Sequence, residues 1–239
     1  MHEQHRERVR TRFFKEGLEN FEDHNVLELL LFYSIPRRDT NEIAHRLVDR
    51  FGSLSGVFEA DYEELLKVEG IGANSASLIK LIPEISRRYM TDGAVGDGVF
   101  DTAEKIGKYF TAKFLGETVE TVYMMNLTSS FSLISCEEIY RGSVNSSQIT
   151  PRMLIEKAIN AKASMVILAH NHPGGIAVPS AEDINTSRIM HEALSLVDVR
   201  LMEHFVVSKE RYGMIMSGAL GTLNQSLGGD VIKKFYGIE

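Results

Sequence analysis

The chain has 239 residues, 44% hydrophobic and 25% charged, an ordinary globular balance with length for one large or two small domains. It carries a net charge of −7 and no apolar run near 18 residues, which excludes a membrane-spanning helix. A single cysteine, Cys136, rules out an intramolecular disulfide, fits a reducing cytoplasm and excludes the zinc deaminases that need a Cys-x-x-Cys pair.

In chain order, residues 1–10 are charged with no apolar centre and so do not read as a secretory signal. Residues 6–90 read as helices. Asn25 to Phe32 is densely apolar, and Asn41 to Phe51 places Ile43, Ala44, Leu47 and Val48 at helical spacing. Phe51-Gly52-Ser53 breaks the pattern, and Gly70-Ile71-Gly72 joins two further helical stretches into a helix-hairpin-helix. Glycines at such a turn let backbone amides face an anion, so Gly70, Ile71 and Gly72 are candidate contacts for DNA phosphates. Charge opposes that reading: up to Asp92 there are 13 Lys and Arg against 17 Asp and Glu, a net −4, with −3 in the remainder. As a packing unit alone, the hairpin needs no ligand.

Thr91 to Gly98, with three glycines, is the expected linker between a helical domain 1–92 and a second domain 99–220. There the sequence predicts a helix from Asp101 to Leu115, then strands at Thr121–Leu127 and Phe131–Tyr140. A helix opened by Thr150-Pro151 follows, then a buried strand at Val166–Ala169, a helix over 181–196 and a strand from Val199 to Val207. This alternation predicts a mixed sheet flanked by helices, an α+β (mixed α/β) domain behind an all-helical one. Residues 221–239 form an extension with no readable motif.

The densest chemistry lies in Ala169-His170-Asn171-His172-Pro173-Gly174-Gly175, followed by Ser180 and Asp183. Histidines at i and i+2 on extended chain share a face. Pro173 and the two glycines turn the chain back, and Asp183, eleven residues past His172, opens a helix and can fold onto the pair. Two imidazoles and one carboxylate leave a fourth position for water, as hydrolytic zinc sites do. Iron, manganese or nickel also suit such ligands. The plainer account of Ser180 and Asp183 is a capping box, which is compatible with ligation. His204 could orient a ligand from behind, although a satisfied core histidine is the simpler reading. His2, His5, His24, His45 and His191 have no ligand spacing, and Cys136 reads as a buried, inert thiol.

His-x-His-Pro-x-Gly-x-x-x-Pro-Ser-x-x-Asp resembles the metal motif of the JAMM (MPN) metallopeptidases, and residues 6–220 resemble the RadC family, which sets that domain behind a helical one. The position of Gly174 is serine in many relatives. The resemblance implies layering like that of the cytidine deaminases and one Zn²⁺ per chain held by His170, His172 and Asp183. It also implies a general acid/base glutamate at the start of an early strand, Glu120 with Glu117 as runner-up, and Ser180 as donor to the developing oxyanion. The expected activity is hydrolysis of peptide or isopeptide bonds in a protein or peptide substrate. DNA repair-associated binding of nucleic acid is the alternative. Phosphodiester cleavage would more often need a second metal, for which there is no second ligand cluster. Loops 128–132 and 142–149 are expected to govern access to the ion.

Overall fold

A computed structural model of the protein describes residues 2–142, 149–209, 211–219 and 235. Residues 143–148 of one expected access loop, and the extension 221–239 apart from Phe235, lie outside the described residues. The chain divides into two compact units, Met1–Ser86 and Arg87–Glu239.

The first unit is helical: α1 (His2–Glu16), α2 (Asp23–Leu31), α3 (Asn41–Phe51), α4 (Leu54–Glu59), α5 (Tyr62–Leu66) and the start of α6 (Ala73–Val95). Leu27, Leu31, Ile43, Leu47, Val57, Leu65, Ile71 and Ile79 close its core. Helix α3 ends at Gly52 in the left-handed region, and Ser53 caps α4 by accepting the Gly56 amide. Between α5 and α6 the chain turns at Gly70 (φ +97°), where a Cβ would lie 2.7 Å from the Ile43 side chain, so glycine is required on two counts.

The expected linker is only partly one. Thr91 to Val95 continue α6, and the turn begins at Gly96. Ala94 and Val95 pack on the core of the second unit, and that burial outweighs the roughly 1 kcal/mol that Gly93 costs a helix. The boundary between units accordingly falls at Ser86/Arg87 rather than after Asp92.

The second unit is a five-stranded mixed sheet with helices on both faces. Its strands are β1 (Thr121–Leu127), β2 (Leu133–Arg141), β3 (Met165–Asn171), β4 (Arg200–Ser208) and β5 (Arg211–Met214), in the order β2-β1-β3-β4-β5. Only the β3–β4 pair is parallel. β5 is absent from the sequence expectation because four residues containing a glycine offer too little alternation to read. Helix α7 (Ala103–Lys113), capped by Thr102, covers one face through Ile106, Phe110, Ile167, Ala169 and Phe205. Phe235 is buried in the same layer, stacked on Phe131. On the opposite face, α8 (Pro151–Asn160) and α9 (Ala181–Ser195) cover Met124, Val166, Leu168 and Leu201. Thr150 and Pro151 open α8 as expected, the threonine side chain accepting the Met153 amide.

Helix α7 approaches β5 so closely that a Cβ on Gly107 would lie 2.3 Å from the Tyr212 ring, which is itself packed on Phe205. Alanine there recovers no more than about 1 kcal/mol of helix propensity, whereas overpacking costs about 1–3 kcal/mol. Gly107→Ala is therefore expected to lower the urea midpoint at unchanged m-value. A midpoint at or above wild type would show that the ring yields freely.

Strand β4 carries an irregularity with consequences for the site. Val166 pairs with Leu201, but the next residue, Ile167, pairs with Glu203, so Met202 is an extra residue. Such a bulge reverses the alternation beyond it. Leu201 faces α8 and α9, and three residues later His204 faces the same way, which an unbroken strand would forbid.

Candidate metal centre

The histidines lie at the end of β3, on the face covered by α8 and α9. His170 is buried in the strand, and His172 follows its last residue. The chain then turns back: the Gly175 amide donates to the His172 carbonyl (3.1 Å) across Pro173 and Gly174, with Gly174 at φ +70°. Proline and then a left-handed glycine at the two central positions are the signature of a type II turn. The Gly174 position thus carries conformational weight, whatever its chemistry. The returning strap brings the Ile176 carbonyl to His172 Nδ1 (3.1 Å). A carbonyl can only accept, so Nδ1 bears the hydrogen and the Nε2 lone pair is free.

That Nε2 lies 3.0 Å from His170 Nε2 and 3.7 Å from Asp183 Oδ2, and His170 Nε2 lies 3.3 Å from Asp183 Oδ1. These separations bracket the roughly 3.3 Å edge expected between ligands placed about 2.05 Å from a tetrahedral ion. His170, His172 and Asp183 form the one group among the described residues that could hold a metal ion. Acceptor atoms from three side chains converge on one point, a repulsive arrangement that a cation relieves. The donor set fits a divalent metal.

Asp183 does two jobs at once. The capping box is present: Asp183 N donates to Ser180 Oγ (3.1 Å), while Ser180 N and Oγ both donate to Asp183 Oδ2 (2.7 Å each). This leaves Oδ1 turned to His170. Burial works against the charged carboxyl, while the Ser180 amide and hydroxyl, both donating to Oδ2, favour it. The Ser180 hydroxyl rests against this carboxylate.

Glu120 and Glu117 are sorted by their neighbours. Glu120 lines the same small cleft, about 140 Å³, as His170, His172 and Asp183. Extending the antiparallel register in which Val122 faces His170 sets Glu120 opposite His172. Burial raises its pKa, the two imidazoles oppose the rise, and Asp183 and Glu182 add to it. Glu117 is engaged elsewhere, between Arg87 and a bidentate Arg141 (2.7 and 3.0 Å). Asn171 clamps the approach to β1. Its Oδ1 accepts the Thr121 amide (2.7 Å) and its Nδ2 donates to the Val119 carbonyl (3.1 Å), fixing the residues on both sides of Glu120.

Two residues join the site that the sequence reading left out or set aside. His204 Nε2 lies 2.9 Å from His170 Nδ1, so it is not merely a satisfied core histidine, and Ser187 Oγ lies 2.7 Å from His204 Nδ1. The available signal was the spacing of Ser187, one helical turn after Asp183 and so on the same side of α9. Cys136, expected to be buried, is half-buried, and desolvation pushes its thiol up to about 11.

Comparison with known proteins agrees with this geometry. Residues 100–219 match the RadC-like JAB domain and residues 2–77 the UPF0758 N-terminal family. The chain belongs to the RadC family. It is 35% identical over 215 residues to a UPF0758 protein of Fusobacterium nucleatum, covering 87% of this chain and 93% of that one. It is 33% identical over 202 residues to one from Methylibium petroleiphilum (84% and 91%) and over 199 residues to one from Bordetella parapertussis (83% and 88%). All three metal-group residues and Glu120 fall within the RadC-like match.

In the first unit the candidate phosphate contacts separate. Ile71 is withdrawn from such a surface, since its side chain is buried and its amide donates to the Val68 carbonyl (3.0 Å). Gly72 is exposed at the start of α6, whose first i→i−4 bond runs from Ala76 N to Gly72 O. Among the described residues no helix is long and apolar enough to cross a membrane.

Proposed function

We propose that the chain is a zinc-dependent hydrolase of peptide or isopeptide bonds. The observation that carries this reading is the convergence of His170, His172 and Asp183 in one cleft with Glu120. Zinc bound there would lower the pKa of water from 15.7 toward about 7 and so supply a nucleophile at neutral pH. The chain's own residues do the rest. Glu120, opposite His172 and with a raised pKa, accepts a proton and returns it to the leaving amine. Ser180, whose hydroxyl now rests on Asp183, turns to donate to the oxyanion on the scissile carbonyl. Val122, Leu168 and Met190 give the cleft an apolar wall that limits water.

The test combines metal analysis with cleavage. The purified chain should hold one zinc, and a chelator should abolish hydrolysis of a mixed peptide and isopeptide library until zinc is restored. Stoichiometric zinc with no cleavage of either bond type would end the peptidase reading while leaving the metal site. Asn171→Ala is expected to keep zinc and KM but to lower kcat by up to about 10²-fold, since it frees both flanks of Glu120. An unchanged kcat would show that Glu120 needs no such clamp.

A second reading, DNA-backbone binding by the first unit, is favoured by the exposed glycine turn before α6. Its test is a salt series of DNA binding by the full chain and by Gly72→Pro, a change that removes one turn amide. Binding that ignores salt, or that survives the substitution unchanged, removes this reading.

A further inference from the structure

We propose that Ser187 and His204 are positioning residues that fix the tautomer of His170 and thereby keep its inner nitrogen free to ligate. The inference rests on the metal reading above. The hydrogen positions follow from one end of a chain of contacts. Ser187 Oγ lies 2.6 Å from the Asp183 main-chain carbonyl, and two oxygens so close must share a hydrogen. The carbonyl has none, so the Ser187 hydroxyl donates to it. The serine oxygen then accepts from His204 Nδ1 at 2.7 Å, which places the His204 hydrogen on Nδ1. In the neutral imidazole of the buried His204, a hydrogen on Nδ1 leaves a lone pair on Nε2. That lone pair faces His170 Nδ1 at 2.9 Å. His170 must donate there, and its Nε2 is left bare towards His172 and Asp183.

The circuit closes on itself, because the carbonyl that dictates the order belongs to Asp183, another member of the metal group. Metal-bound histidines commonly donate their outer N–H to a carboxylate, a carbonyl or water, which orients the ring and raises its basicity. Here a second imidazole is interposed, and it accepts only while Ser187 holds its other hydrogen in place. Without that hydroxyl, His204 can carry its hydrogen on Nε2 and donate to His170, moving the His170 hydrogen onto the ligating nitrogen. The bulge at Met202 is what brings His204 to this face.

The experiment reads tautomer and affinity separately. Two-bond proton–nitrogen correlation spectra of the metal-free full chain at neutral pH should show His170 with its hydrogen on Nδ1, and Ser187→Ala should shift it to Nε2. Zinc affinity, measured by competition with a chromophoric chelator, should weaken roughly 10–100-fold in Ser187→Ala. The double variant Ser187→Ala/His204→Gln should recover most of that loss, since a glutamine oxygen accepts from His170 without help from serine. A wild-type His170 carrying its hydrogen on Nε2, or an unshifted tautomer in Ser187→Ala, overturns the proposal. So does a zinc affinity within about threefold of wild type in Ser187→Ala. Where Ser187→Ala does not fold, His204→Gln should retain zinc and His204→Leu should lose it, and any other pattern overturns the proposal. A wild-type chain that binds no zinc defeats the metal reading, while the spectra still decide the tautomer.

Discussion

His172→Ala is expected to give a folded protein that no longer retains zinc through dialysis. His172 is the ligand to test because its side chain is 25% exposed just past the end of β3, and its one described partner besides the metal group is the Ile176 carbonyl. His170, by contrast, sits in the packed middle of the sheet, where truncation would confuse loss of metal with loss of folding. A site with three protein ligands that loses one should weaken by more than the 10–100-fold typical of losing an outer partner, so by over about 100-fold. Ser180→Ala sets the contrast. It removes a donor to Asp183 Oδ2 and the cap of α9, at about 1 kcal/mol of stability, yet leaves the three ligands. It should keep zinc while turnover falls about 10²–10³-fold. Zinc retained at one per chain by His172→Ala, measured by elemental analysis, would refute the ligand assignment.

Glu120→Gln should produce the opposite separation: full zinc content with turnover lower by about 10²–10⁴-fold. The pH profile adds a check that shape alone cannot mimic. As a general base Glu120 works deprotonated, and burial raises its pKa above the ordinary carboxylate value. Activity should therefore climb with pH through an acid limb displaced upward from that value, and the limb should vanish in Glu120→Gln. Loss of zinc in this variant would make Glu120 a ligand rather than a base. Unchanged turnover would return the search to other groups in the cleft, since Glu117 is tied to Arg87 and Arg141.

Which parts of this site were legible in advance depended on how local their cause was. The His170–His172 pair is set by the two-residue repeat of a strand, and the strand itself by the unbroken run Val166 to Ala169. The return of Asp183 follows from Pro173 and Gly174 at the turn and from Ser180 at a helix start. Helix α8 was likewise announced by Thr150 and Pro151 at its start. The linker was misjudged for the complementary reason. Glycines at 93, 96 and 98 signal flexibility locally, whereas Ala94 and Val95 find a distant core to pack on.

The amino-acid sequence by itself determined the His170, His172 and Asp183 group that could hold a metal, the helical and mixed-sheet division of the chain and the capping box at Ser180, because each rests on patterns local to a strand, a turn or a helix start. The tertiary structure alone decided that Glu120 rather than Glu117 shares the cleft, because Val122 of β1 meets His170 of β3 across 48 residues of sequence in a register no local pattern encodes. It alone decided that His204 faces His170, because one extra residue in β4 reverses the alternation that a reader of the sequence would extrapolate.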